Sequence, residues 1–85
     1  MEYIISFKST NIAIKAEQCL LSQGINVRVM PLPSQIRAGC GISLRVAASE
    51  IDTAVKMLYE NNIDEIGLFT REQECGKYIY CEVKI

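Results

Sequence analysis

The sequence contains no histidine, the side chain that enzymes use most often as a general base and proteins use most often as a metal ligand. It also lacks an apolar run of the ~18 residues that a helix needs to cross a bilayer. Residues 1–7 show no basic region followed by a long apolar stretch, so we expect no secretion signal. These absences favour a cytoplasmic protein without membrane association and without a resident metal or cofactor.

Charge of one sign is also missing. Nine basic and ten acidic residues leave a net charge of -1, which provides no broad positive field and no basic run to follow a phosphate backbone. We therefore expect no nucleic-acid partner. The four cysteines are expected to be reduced thiols rather than a disulfide framework, because no secretion signal accompanies them.

What is present is the composition of one small globular domain. The 85 residues are 49% hydrophobic and 22% charged, enough for a single two-layer core and too few for two. We expect residues 1–70 to form the main part of the domain and residues 71–85 to add a C-terminal strand to it.

The spacing of apolar residues predicts five strands and two helices. Alternating apolar positions and runs rich in β-branched residues predict strands, and recurrence every three or four residues predicts helices. Ser9 and Thr10 can cap the first helix and Gly24 can end it, while Ser49 and Asp52 have the spacing of a capping box for the second. The predicted order is strand 3–7, helix 11–23, strand 27–30, strand 42–46, a helix with its apolar stripe on 51–59, strand 65–70, a turn over 71–76 and strand 78–83.

This order predicts an α+β fold: a ferredoxin-like split βαβ sandwich with both helices on one face of an antiparallel sheet, extended by one strand. In this unit the first and third strands are neighbours at the sheet centre. The loop that follows Pro31-Leu32-Pro33 then returns to the end of the first strand. Cys40, at the start of the third strand, is therefore expected to face the N-terminus of the first helix.

Cys40 is the one candidate for a chemical centre. A reactive cysteine needs surroundings that favour the thiolate, and the helix N-terminus at Ser9 and Thr10 offers backbone donors and a positive dipole end. Arg37 and Arg45 are candidate sources of positive charge. Gly39 and Gly41 lack side chains, which suggests an accessible thiol that another molecule can approach closely.

A second interpretation of Cys40 is that it is a small buried hydrophobe. It has the same parity as Ile42 and Leu44, which are predicted to face the core, and free cysteine is among the most often buried residues. Ser9 and Thr10 are then ordinary helix caps. The sequence alone leaves both interpretations open.

The other cysteines are weaker candidates. Cys19 lies on the apolar stripe of the first helix, where core packing explains it. Cys75 and Cys81 would be separated by roughly 20 Å in one extended strand, too far for a disulfide, and their spacing completes no metal site.

The terminal strand has apolar side chains on both faces. Tyr78 and Tyr80 share one face and Ile79 lies on the other. An open sheet face and two edge strands therefore favour a homodimer.

A series of short motifs runs along the first half of the chain: Ser9-Thr10, Ala16-Glu17, Leu20, Gly24-Ile25, Pro31-Leu32-Pro33, Ile36, Cys40-Gly41 and Leu44-Arg45. In the order and spacing of these motifs the sequence resembles the selenium/sulfur (Se/S) carrier protein-like family of small bacterial domains, over about the first 60 to 70 residues. Lys8 and Asn11 stand where that family more usually has proline and histidine.

The resemblance implies a stoichiometric carrier rather than an enzyme, in which Cys40 accepts sulfur or selenium as a persulfide or selenopersulfide. A cysteine desulfurase or another transfer protein would be its partner, with Ser9, Thr10, Arg37, Gly39 and Gly41 forming the site. The alternative is a non-catalytic module of the same fold that binds a small ligand, regulates or mediates assembly, because a fold does not dictate its function.

Overall fold

The computed structural model describes residues 1–37 and 39–84 and has the predicted β-α-β-β-α-β-β order. None of the helices in this part of the chain is long and apolar enough to span a membrane. The elements are β1 (Glu2–Phe7), α1 (Thr10–Ser22), β2 (Val27–Pro31), β3 (Ile42–Ala47), α2 (Ile51–Glu60), β4 (Ile66–Glu74) and β5 (Lys77–Val83).

The five strands form one antiparallel sheet in the order β2-β3-β1-β4-β5. Strands β1 and β3 are neighbours, with Ser6 opposite Ser43, so the end of β1 lies beside the start of β3. The order of the first four strands is that of a ferredoxin-like split sandwich, and β5 extends it beyond β4. This confirms the predicted fold class.

Both helices end with the same backbone device. The N–H of Ile25 donates to the carbonyl of Leu20, and the N–H of Ile63 donates to the carbonyl of Leu58. Gly24 and Asn62 adopt the positive φ that this C-terminal motif requires. Ile25 and Ile63 then enter the core, so each helix end is fixed by a backbone hydrogen bond and by apolar burial.

The core lies between the sheet and the two helices. Its centre consists of side chains from β1, β3 and the inner faces of the helices, all of them fully buried. Burial of a large aliphatic side chain contributes about 1.5–3 kcal/mol, so this layer dominates the stability. Its fully buried members include Ile5, Ala13, Ala16, Leu20, Leu44, Val46, Ala54 and Leu58.

The centre of the sheet face without helices is also covered. Ile4 points away from the helices because strand side chains alternate, yet it is fully buried, and Ser43 on the same face is buried too. Ile36, in the loop after β2, is buried but does not belong to the core on the helix side. We infer that this loop folds over the helix-free face and that Ile36 packs there.

Two local predictions are wrong. The predicted turn over residues 71–76 is mostly strand, because β4 continues to Glu74 and pairs with β5, which leaves Cys75 and Gly76 as the two turn residues. The predicted capping box at Ser49 and Asp52 does not form. Helix α2 begins after Glu50, whose carboxylate accepts a hydrogen bond from the Asn26 N–H at 3.1 Å instead.

An ion network connects three strands on the helix-free face. Glu2 accepts hydrogen bonds from Nε and Nη2 of Arg71, and its other oxygen lies 3.2 Å from Nε of Arg45. The Arg71 guanidinium also lies over the Tyr78 ring, 4.4 Å from its centroid. The hydrogen bond from Arg71 lowers the pKa of the Glu2 carboxyl despite the opposing effect of burial, and the charges of Arg71 and Arg45 lower it further.

We predict that Glu2→Gln reduces the free energy of unfolding at pH 7 by about 1 kcal/mol, allowing for the solvent exposure of Glu2. Because the folded pKa of Glu2 is lowered from 4.5, its contribution is fully present above that unfolded value and is lost as the pH falls through the folded value. Denaturant unfolding of both proteins should therefore show a difference that shrinks below about pH 4. The exposed Glu72→Gln serves as control, and an equal loss in both variants would contradict the role of the network.

Candidate functional site

Three elements converge on the sulfur of Cys40. The thiol donates to Oγ1 of Thr10, the first residue of α1, across 3.6 Å, and the backbone N–H of Ile42 at the start of β3 donates to Sγ across 3.4 Å. Cys40 therefore lies between the end of β1, the first turn of α1 and the beginning of β3. The expected proximity of Cys40 and the N-terminus of the first helix is what the structure has.

The expectation of an accessible thiol is wrong in this conformation. Cys40 is 2% exposed and belongs to the core cluster, on the same side of the sheet as Leu44. The alternation of residues 40, 42 and 44 predicted the burial of Cys40 correctly. The flanking glycines suggested exposure, which the structure does not have. The sulfur is thus buried among apolar groups on one side and in contact with the Thr10 hydroxyl and the Ile42 N–H on the other.

The remaining predicted site residues contribute in different ways. Ser9 is the N-cap of α1, and its Oγ accepts a hydrogen bond from the Ile12 N–H at 3.3 Å. Arg37 is exposed, and no side-chain contact in the described part of the chain connects it to Cys40. Arg45 lies on the opposite face of the sheet with Glu2, so it supplies no charge to the thiol.

The two glycines that flank Cys40 differ sharply. A Cβ on Gly39 would lie 2.3 Å from the carbonyl oxygen of Lys8, so the chain itself, and not a partner, occupies the space beside this residue. A Cβ on Gly41 would meet nothing within 4 Å. Gly39 allows the loop to pack against the end of β1, and Gly41 is exposed and leaves room at the surface.

The other three cysteines lie elsewhere. Cys19 is half-buried on α1 and belongs neither to the core cluster nor to the side chains packed against it, so the predicted core packing is wrong. Cys75 is exposed in the β4–β5 turn with a φ of 51°, and Cys81 is exposed on β5. In the described part of the chain all four thiols are free, and no group of three potential metal-ligating side chains occurs.

The amide of Ile42 is the contact that the sequence analysis missed. A short polar side chain often accepts a hydrogen bond from the N–H two residues later, as aspartate and asparagine do in turns. The position of a cysteine two residues before a strand was the available signal.

Chemically, the arrangement suits a sulfur that carries negative charge. The Ile42 N–H already points to Sγ, and a hydroxyl such as that of Thr10 can either accept from a thiol or donate to a thiolate. The first turn of a helix adds its positive dipole end. No imidazole is available to accept the proton, since the chain has none. The positive charge of Lys8 is paired with Glu65, 2.6 Å away, rather than with the sulfur.

Most of the chain matches one known family. Residues 2–70 match the family described as "Putative Se/S carrier protein-like". The chain belongs to this family. No curated protein and no solved structure matches the chain. The family match includes Cys40, Thr10 and Ile42 and ends one residue before Arg71, so most of the β4–β5 hairpin lies beyond it.

The two flanking glycines provide a matched pair for a stability test. Gly39→Ala should lower the free energy of unfolding by about 1–3 kcal/mol, because the added methyl group overlaps a backbone oxygen that cannot turn aside. Gly41→Ala should change it by less than about 0.5 kcal/mol, because the site is open. Chemical denaturation measures both, and similar values for the two variants would mean that the loop does not pack on Lys8.

Proposed function

We propose that the protein is a stoichiometric carrier of sulfur or selenium and that Cys40 is the residue that holds the transferred atom. The observation that carries the proposal is the position of Sγ between the Ile42 N–H and the Thr10 hydroxyl, inside the region that matches the carrier family. Of the four thiols, Cys75 lies outside that region and Cys81 does as well.

In the proposed reaction the Cys40 thiolate attacks the outer sulfur of a donor persulfide, such as the one that forms on a cysteine desulfurase. A bond forms between Sγ and that outer sulfur, the sulfur–sulfur bond of the donor breaks, and the donor thiolate leaves with the electron pair. Delivery repeats the exchange, with an acceptor nucleophile attacking the outer sulfur and the Cys40 thiolate leaving. No oxidant or reductant is consumed, and selenium follows the same balance.

The polar contacts support this chemistry because Cys40 is a negatively charged thiolate at two stages, as the attacking group before loading and as the leaving group on delivery. Hydrogen bonds to a charged group contribute more than those between neutral groups, about 1.5–3 kcal/mol against about 1 kcal/mol. The Ile42 N–H would donate to the charged sulfur, and the Thr10 hydroxyl can turn to donate as well. Ser9 acts one step away, by capping the helix that positions Thr10.

Burial of Cys40 requires that the loop move before the sulfur can react. The loop is held at Ile36, at the contact of Gly39 with the Lys8 carbonyl, and at the hydrogen bond from the Leu32 N–H to the Gly41 carbonyl, 3.0 Å long. Ile36 is the apolar anchor among these. A partner that displaces Ile36 from the helix-free face would expose the sulfur, and release of the loop would cover the carried atom from water.

We predict that incubation with a cysteine desulfurase and cysteine adds the mass of one sulfur atom and that peptide mapping places it on Cys40. Cys40→Ser should lose the adduct, and Cys75→Ser, which removes an exposed thiol, should keep it. Equal loading of the Cys40→Ser protein would reject the carrier assignment. The burial of Cys40 would then favour the second candidate, a non-covalent ligand-binding or assembly module.

The gating step makes its own prediction. Ile36→Ser removes about 2 kcal/mol of apolar burial, which corresponds to roughly a 30-fold rise in the population with an open loop and in the alkylation rate of Cys40. Mass spectrometry of alkylated peptides under native conditions measures the rate at each thiol. Ile63→Ser is the control, because Ile63 is similarly buried (6% exposed against 4%) but lies after α2. Equal acceleration in the two variants would mean that Cys40 reacts only through global unfolding.

A further inference from the structure

A groove of 570 Å³ lies between the loop after β2 and the β4–β5 hairpin, in the size range of sites that hold small organic molecules. Its first wall is apolar and consists of residues 30–33. Its second wall consists of Tyr78 and Tyr80, whose rings are 6.4 Å apart and inclined by 45°. The first wall belongs to the region that matches the carrier family, and the second lies beyond it.

The charge beside the groove is not balanced. The lining residues include Arg71 and Lys77 and no carboxylate. The nearest negative charge in the ion network is Glu2, which is shared between two guanidinium groups, those of Arg45 and Arg71. One carboxylate therefore faces two positive charges, and one positive charge has no counter-ion in this network.

The guanidinium of Arg71 is also fixed in place. Its position over the Tyr78 ring and its two hydrogen bonds to Glu2 hold it rigidly, and it is 9% exposed. Those two bonds use two of the five N–H donors of a guanidinium, which leaves donors for a second carboxylate. A rigid cation beside two aromatic rings and an apolar wall defines the chemistry of a ligand: one negative group attached to a flat apolar body.

We propose that this groove binds an aromatic carboxylate, with its ring between the tyrosines and the loop and its carboxylate at Arg71. A carboxylate fits the planar pair of donors of a guanidinium, and the ammonium of Lys77 adds a second positive charge to the lining. The site is separate from Cys40 and does not depend on the carrier reaction. It would make the β4–β5 hairpin the ligand-binding addition to the family domain.

Phenylacetate is the probe that tests the proposal, by titration of the full-length protein followed in amide NMR spectra. We expect saturable shifts at Leu32, Arg71 and Tyr78 with a Kd on the order of 1 mM, as suits so small a ligand. Acetate, which lacks the ring, and phenethylamine, which carries the opposite charge, should each bind at least tenfold more weakly. The Cys40→Ser protein should bind phenylacetate as the wild type does, so loss of the carrier activity leaves this result unchanged.

Two variants test the two halves of the site. Tyr78→Ala should weaken binding about fivefold or more by removing the ring contact, and Tyr59→Ala, which removes a tyrosine of similar exposure from α2, should not. Arg45→Gln should weaken binding about fivefold, because Glu2 then neutralises Arg71 alone, and Lys15→Gln on α1 makes the same change in net charge without this effect.

Three results would overturn the proposal. The first is that phenylacetate gives no saturable shifts, and the second is that the Tyr78→Ala and Tyr59→Ala proteins bind it equally well. The third is that phenyl phosphate binds at least tenfold more tightly than phenylacetate, which would assign the groove to phosphorylated ligands instead. Unchanged affinity in the Arg45→Gln protein would reject the role of the unbalanced charge.

Discussion

The close packing of three chain segments around one sulfur atom organises this end of the molecule. Cys40 can contact both Thr10 and the Ile42 N–H only because β1 and β3 are neighbours and α1 begins directly after β1. Gly39 permits the approach, since any side chain there would collide with the Lys8 carbonyl. The sulfur is consequently held by local geometry rather than by a charged side chain. This is a different solution from a cysteine that is paired with a histidine.

The two faces of the sheet differ in what packs on them. The helix side carries the main core. The cysteine site lies at the edge of this core, where β1 ends and β3 begins. The helix-free side carries the Glu2 ion network, and we infer that the loop with the buried Ile36 covers part of it. This loop also leads to Cys40, whose sulfur is buried on the helix side. The loop is the physical connection between the two faces.

Much of the fold could be predicted from the sequence, because its pattern is regular. The alternation in β3, the helical spacing in α1 and the stop at Gly24 all correspond to the structure. The site was predictable only in part. The order of elements correctly placed Cys40 near the helix N-terminus. Whether its sulfur is buried was left open, because the alternation with Ile42 and Leu44 indicated burial and the flanking glycines indicated exposure. The contact of Gly39 with Lys8 decides it, and no local pattern reveals such a contact.

Other errors have the same origin in long-range contacts. The polar residues after Thr70 suggested a turn, yet pairing with β5 extends β4 through them to Glu74. Arg71 joins Glu2 across almost the whole chain, and neither residue carries a local sign of the other. Arg45 was considered near the thiol by its distance in sequence, whereas the alternation of the strand directs it to the opposite face. For a strand residue, the face of the sheet predicts its neighbours better than its distance along the sequence does.

The central claim is that the sulfur of Cys40 carries the transferred atom while the Ile42 N–H and the Thr10 hydroxyl remain its neighbours. The most direct measurement is the amide NMR spectrum of the protein before and after loading by a cysteine desulfurase. We expect the Ile42 and Thr10 amide resonances to shift most and to return to their original positions when a thiol removes the sulfur. Loading that leaves both resonances in place and shifts those around Cys75 or Cys81 would contradict it.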